Sequence, residues 1–112
     1  MSNKVIVRKS FQKQAKRLAK RYKSFPKDLQ KLVNELKENA ELGTSLGGNV
    51  YKIRLTITSK NKGKSGGARV ITYFYQIVET VYLLSIYDKS DTENISDKEL
   101  KYLIEEVEQD IK

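Results

Sequence analysis

Neither cysteine nor histidine occurs among the 112 residues. Their absence excludes disulfides, thiolate zinc sites and thiol redox chemistry, and removes the commonest general acid–base and the commonest non-thiolate metal ligand. Proline is represented by Pro26 alone. Long apolar runs are missing as well. The N-terminal stretch MSNKVIVRKSFQK has only Val5, Ile6 and Val7 in succession, too little for a secretory signal, and nothing approaches the ~20 apolar residues of a membrane span. Asn94-Ile95-Ser96 matches a glycosylation sequon, which has little meaning without an export signal. A soluble cytoplasmic protein, with no membrane partner, is therefore expected.

What the chain has in abundance is positive charge, unevenly placed. The net charge is +8. Residues 1–69 hold 18 Lys and Arg against 4 Asp and Glu, whereas residues 70–112 hold 4 against 10. A basic face of this strength suits a polyanion, nucleic acid before anionic membrane, although lysine-rich helices are also ordinary solvated surface. The length fits one domain, residues 1–112, large enough for a core without staples.

The hydrophobic periods predict the order of elements. KVIVRK, Lys4 to Lys9, reads as a short strand. Ser10 stands where a helix N-cap belongs, without the Glu or Gln three residues on that completes a capping box. Phe11, Ala15, Leu18, Ala19 and Tyr22 then recur at helical spacing. Pro26 suits the first turn of a second helix, whose stripe is Leu29, Leu32, Val33 and Leu36. These two helices read as an antiparallel hairpin.

After the break LGTSLGGN the period becomes two. Tyr51, Ile53, Leu55 and Ile57 share one face of a strand, and Lys52, Arg54, Thr56 and Thr58 the other. ARVITYFYQIV and TVYLLSIYD are two further strands, with Glu79 and Thr80 as a tight link. Strict alternation in the second places Leu83, Ser85, Tyr87 and Lys89 together, opposite Tyr82, Leu84 and Ile86. Ser96 and Glu99 form a capping box ahead of a last amphipathic helix marked by Leu100, Leu103, Ile104, Val107 and Ile111. The fold class is α+β, in the order β-α-α-β-β-β-α. A small antiparallel sheet of three meander strands gains an N-terminal edge strand, with the helices packed on one face.

The stretch SKNKGKSGGARVITYF, Ser59 to Phe74, concentrates the charge. Gly63-Lys64-Ser65 resembles the end of a phosphate-binding loop, but the required first glycine is Thr58 and a strand follows where a helix is needed. A polar hairpin loop is the plain interpretation. Against it stand Lys52 and Arg54 on one strand face and Arg69 opening the next strand, with Lys60, Lys62 and Lys64 between them. Like charges on neighbouring strands repel, and a bound anion relieves that repulsion. Tyr73, Phe74, Tyr75 and Tyr82 favour core over base stacking, because large rings bury much apolar area. Lys13, Lys16, Arg17, Lys20 and Arg21 on the first helix suit either ribosomal RNA or solvent.

YKIRL, GARVITYFYQI and VYLLSIYDKSD…NISDKELKYLI, taken with the LGGNVYKIRL entry to the sheet, resemble the RelE/ParE toxin superfamily, and more closely its RelE- and HigB-like branch. The resemblance spans nearly the whole chain. It implies a toxin of a bacterial toxin–antitoxin pair: RelE-like members cleave messenger RNA on the ribosome, and ParE-like members inhibit DNA gyrase. By motif, the catalytic lysine pair of the RNA-cleaving members falls on Lys52 and Arg54, the next-strand arginine on Arg69, and the arginine after the last strand on Lys89. The distal tyrosine of the family falls near Ile95, which cannot replace it; Tyr87 is the aromatic hydroxyl closest to that role. No metal or other cofactor is implied. The partners implied are messenger RNA on the ribosome and an acidic antitoxin protein.

Attack of a 2′-hydroxyl on its own phosphate needs a base, a stabiliser of charge and a proton for the leaving oxygen. A lysine among cations gives up its proton more readily, and Lys52 is placed for that. Arg54 and Arg69 suit forked contacts to phosphate oxygens, while Lys60, Lys62 and Lys64 suit grip on the RNA backbone. The expected activity is a metal-independent, ribosome-dependent endoribonuclease. A gyrase inhibitor and an inactive basic RNA-binding relative are the alternatives.

Overall fold

The computed structural model describes residues 2–59, 67–92 and 94–111. Five strands form one sheet in the order β1-β5-β4-β3-β2. In chain order these are β1 (Lys4–Val7), β2 (Thr44–Gly47), β3 (Val50–Leu55), β4 (Ala68–Tyr75) and β5 (Thr80–Asp88). The helices are α1 (Lys9–Arg21), α2 (Phe25–Glu38) and α3 (Asp97–Ile111). β1 lies parallel to β5 at one edge, and the other pairs are antiparallel. The expected α+β order and N-terminal edge strand are therefore present, with one additional strand.

That strand, β2, falls within the stretch read as a break. Its four residues are all exposed, so it has no apolar period to betray it. It forms because Gly47, Gly48 and Asn49 take positive φ angles of 94°, 59° and 68° and turn the chain back onto β3. The link between β4 and β5 is also longer than expected. β4 ends at Tyr75, a 3₁₀ turn covers Gln76–Val78, and Glu79 sits at a φ of 47° before β5 opens at Thr80.

The sheet has a core on each face. Ile53, Leu55, Val70, Val81, Leu83 and Ile86 pack with Phe11, Leu18, Phe25, Leu32 and Leu36 of α1 and α2. Val50, Ile71, Tyr73 and Leu84 pack on the other side with Leu103 and Val107 of α3. The expectation that all the helices share one face is thus corrected. The strands carry apolar residues at both odd and even positions, and β4 is buried from Ala68 to Tyr73, so each face needs its own cover. Fully burying each such side chain contributes about 1.5–3 kcal/mol. Tyr73, Phe74, Tyr75 and Tyr82 all belong to these cores or pack against them, as expected.

Helix ends follow local chemistry with one exception. Pro26 stands in the first turn of α2, and the Ser96 hydroxyl accepts from the Glu99 amide at 3.1 Å to open α3. Ser10, however, is not the N-cap of α1, which begins at Lys9 after Arg8. Its hydroxyl instead donates to the Leu84 carbonyl at 2.7 Å.

Residues 60–66 lie outside the described part of the chain, but both of their flanks are fixed. Before them, the Asp28 carboxylate accepts from the Thr58 amide (2.9 Å), the Thr58 hydroxyl (2.7 Å) and the Ser24 hydroxyl (2.7 Å). The Ser59 amide donates to the Ser24 hydroxyl at 2.8 Å. After them, Gly67 takes a φ of 99°, where a Cβ would meet the Leu55 carbonyl oxygen at 2.4 Å. Only glycine fits, and Gly67 thereby brings Ala68 opposite Leu55.

Two outcomes are expected. Gly67→Ala lowers stability by about 1–3 kcal/mol in denaturant unfolding, through strain at positive φ and the carbonyl contact. Burial pushes the Asp28 carboxyl up, but hydrogen bonds from Ser24 and Thr58, with Lys31 nearby, outweigh it and hold the group below its ordinary 3.8. A depressed carboxyl stabilises the fold above its unfolded pKa, and that stability drains away as the pH falls through the folded value. Asp28→Asn is expected to flatten this part of the acid-unfolding profile measured by circular dichroism.

Candidate active site

β3 sends Ile53 and Leu55 into the α1–α2 core and Val50 into the α3-side core. Lys52 and Arg54, in phase with Val50, therefore lie on the α3 side, as the period of two requires. Arg54 is directly opposite Arg69 on β4, and Arg69 is directly opposite Tyr87 on β5. Three adjacent strands thus carry a row Arg54–Arg69–Tyr87, with Lys52 one step along, opposite Ile71. The expected convergence of Lys52, Arg54 and Arg69 on one face is present.

Their exposure differs. Arg54 is open to solvent and Lys52 is half-buried. Arg69 keeps only 7% of its surface, and its Nη1 donates to the Ala68 carbonyl at 3.3 Å. Among the described residues, no carboxylate lies within ion-pair distance of any of the three. The Lys52 ammonium donates instead to the Asn94 side-chain oxygen at 3.0 Å, which draws the segment before α3 over the row. A buried arginine without a counter-ion, beside a second arginine in register, costs stability.

Tyr87 reaches this row only through a β-bulge. Between Ile71 and Thr72 the register slips, so that Leu84 is an extra residue on β5. Leu83 and Ile86 consequently face α1 and α2, while Tyr82, Leu84 and Tyr87 face α3. The strict alternation that grouped Tyr87 with Leu83 is corrected. α1 holds the bulge with two side chains one turn apart, Ser10 and Gln14. Ser10 bonds the Leu84 carbonyl, and the Gln14 side-chain oxygen accepts from the Ile86 amide at 3.0 Å and the Ser85 hydroxyl at 3.2 Å. The Thr72 hydroxyl at the same irregularity is buried without a hydrogen-bond partner among the described residues. Neither Ser10 nor Gln14 stood out in the sequence as belonging to the site, since a polar side chain at helical spacing gives no sign of a bulge on a distant strand.

The Tyr87 hydroxyl is likewise buried and makes no well-formed hydrogen bond among the described residues. Burial pushes its pKa up, and the nearby Ile95 backbone and Arg69 charge only partly offset that. Such a phenol holds its proton at neutral pH, which suits a proton donor rather than a base. Ile95, where the resemblance would put a tyrosine, packs in the same apolar cluster as Tyr87. Lys89 lies just past β5, its amide donating to the Gly67 carbonyl at 3.3 Å, so it stands at the Arg69 end of the sheet. Lys60, Lys62 and Lys64 fall outside the described residues.

A model described as the RelE toxin of the RelE / RelB toxin-antitoxin system matches residues 3–109. Among solved structures, the chain is similar to the free state of E. coli toxin RelE carrying two arginine-to-alanine changes. The TM-score is 0.61 at 18% identity, over 83% of this chain and 90% of that one. At that identity the likeness is one of fold.

If the α1 clamp sets the phase of β5, Gln14→Ala leaves the Ile86 amide without its partner. An unfolding cost of about 1–3 kcal/mol is expected. The Tyr87 phenol, followed by its ultraviolet titration, is expected to move down toward its ordinary value of 10.0 as its burial loosens.

Proposed function

The chain belongs to the RelE toxin family and is a toxin of a toxin–antitoxin system; from this we propose that it acts as a metal-independent endoribonuclease on ribosome-bound messenger RNA. The observation that carries the proposal is the row of cations on the α3 side of the sheet, which has no counter-ion among the described residues and ends in a buried phenol. A phosphodiester laid across the row supplies the anion that the Arg54–Arg69 pair lacks. The RNA backbone displaces the Asn94 contact and frees the Lys52 amine.

In the proposed reaction Lys52 takes the proton of the 2′-hydroxyl, whose oxygen attacks the adjacent phosphorus. Arg54 and Arg69 hold the non-bridging oxygens as charge builds there. The bond from phosphorus to the 5′-oxygen breaks, leaving a 2′,3′-cyclic phosphate, and Tyr87 gives its proton to the departing oxygen. Lys89 adds positive charge at the same end, and Lys60, Lys62 and Lys64 grip the flanking backbone without reading sequence. An acidic antitoxin is the restraining partner, held in part by the excess positive charge of residues 1–69. Among the described residues no helix is long and apolar enough to cross a membrane.

The test is a translation extract supplied with the protein. Cuts at codon-defined positions in the message are expected, and Lys52→Ala, Arg54→Ala and Arg69→Ala together are expected to abolish them while the circular dichroism spectrum is retained. Wild-type cutting by the triple variant overturns the assignment, and gyrase poisoning without RNA cuts overturns the activity. Arg54→Ala alone is expected to cut poorly yet unfold at the same or a higher temperature, because it relieves a like-charge pair that costs about 0.2–1 kcal/mol.

A further inference from the structure

The described residues of the connector from β5 to α3, 89–92 and 94–96, form turns but no strand or helix. They nevertheless carry two groups that meet the basic row. Lys89 stands at its Arg69 end, and Asn94 accepts from the Lys52 ammonium at 3.0 Å. A segment of this kind has no ladder of its own to fix it. Its first joint is Asp88, the last residue of β5, whose side chain keeps 1% of its surface. No step of the proposed reaction uses this buried carboxylate.

Asp88 directly follows Tyr87 and so points to the opposite face of the sheet, toward the C-terminal end of α1. There the Tyr22 hydroxyl donates to its Oδ2 at 2.5 Å, and the Arg21 guanidinium pairs with the same oxygen at 3.6 Å. Oδ1 faces along the chain and accepts from the Ser90 amide at 2.9 Å and the Ser90 hydroxyl at 2.7 Å. The Asp88 carbonyl accepts from the amides of Asp91 and Thr92 at 3.0 and 3.1 Å. Arg21 holds the far side of this turn as well, donating to Asp91 at 2.6 Å while it lies over the Tyr22 ring, 5.5 Å from the centroid.

We propose that Asp88 is a positioning residue of the site. By locking the turn Asp88–Thr92 to the end of α1, it keeps Lys89 at the Arg69 end and Asn94 within reach of Lys52. Its two oxygens receive donors from two different segments, Tyr22 on one side and Ser90 on the other. A carboxylate accepts at both places, whereas an asparagine amide accepts at one and presents an N–H at the other. Bonds to an ionised acceptor are also stronger than neutral ones, which stiffens this joint while Ser90, Asp91, Thr92 and Asn94 are exposed. An aspartate that only closes a strand with a local turn needs Ser90 alone. The Tyr22 and Arg21 contacts tie that turn to a helix on the far face of the sheet. The role draws on the nuclease reading for what the row does, but not for the geometry of the joint.

The test compares Asp88→Asn and Tyr22→Phe with Val33→Ala, a control that trims the α2 side of the core. Tyr22→Phe removes a single hydroxyl and decides the matter should Asp88→Asn fail to fold. In the isotopically labelled full chain, both variants are expected to exchange the Ser90 and Thr92 amides at least about tenfold faster, while Val70 and Ile71 of β4 keep their rates. The Asn94 side-chain amide signals are expected to move in both. In the translation extract, the cutting rate at saturating message is expected to fall about tenfold or more, with the half-saturating concentration within about twofold, because Arg54 and Arg69 still hold the phosphate. Val33→Ala is expected to lower the unfolding temperature and to leave the turn exchange and the cutting unchanged. Unaltered exchange and Asn94 signals, or a loss of cutting carried by the half-saturating concentration instead of the rate, would each overturn the proposal. Matching effects in Val33→Ala would overturn it too, because they would report a general loosening of the fold. A wild-type chain that cuts no message refutes the nuclease reading; the exchange and Asn94 measurements then decide by themselves whether Asp88 holds the connector.

Discussion

Arg54 and Arg69 face each other across β3 and β4 with no carboxylate of the described residues within ion-pair distance of either. Sheets ordinarily place opposite charges or apolar groups at such a pair, because like charges in register repel across a few ångströms. Much of the local structure maintains this unfavourable pairing. Gly67 brings the returning chain against the Leu55 carbonyl so that Ala68 falls opposite Leu55, which sets Arg69 opposite Arg54. On the other flank, Asp28 and Ser24 secure Thr58 and Ser59 to the start of α2. Departures of this kind from local stability concentrate at functional sites, where a ligand completes the interaction.

The two faces of the sheet divide the work. α1 and α2 cover one face, and α1 also reaches across to hold the β5 bulge through Ser10 and Gln14. Because of that bulge, the last part of β5 is rotated by one residue and Tyr87 joins the arginines instead of entering the α1–α2 core. α3 covers the other face, where the row lies with Arg54 exposed, Lys52 half-buried and Arg69 buried. The Lys52–Asn94 hydrogen bond and the packing of Ile95 join that row to the segment leading into α3.

α1 therefore has two roles from its two sides. Its inner stripe, Phe11 and Leu18 with Ser10 and Gln14, fastens the sheet, and its outer side offers lysines around an apolar trough. Among the described residues Lys9, Lys13 and Lys16 on that side form no ion pair, so the outer side of the helix stays basic.

The alternation in β3 was enough to put Lys52 and Arg54 on one face and Ile53 and Leu55 on the other, because a strand with a period of two allows no other arrangement. The helical stripes, Pro26 in the first turn of α2 and Ser96 at the start of α3 were legible for the same reason: each depends on neighbours within a turn. β2 was not legible, since a wholly exposed edge strand has no apolar signature. Nor was the placement of α3 on the second face, since the apolar period of a helix does not say which side of a sheet it covers. The phase of Tyr87 depended on a bulge held by a helix some seventy residues earlier, and such a contact has no local trace. Sequence alone determined which residues carry charge and which share a strand face, because those follow from composition and backbone period. Tertiary structure decided which strands stand in register and where the chain slips by one residue, because those depend on contacts between distant segments.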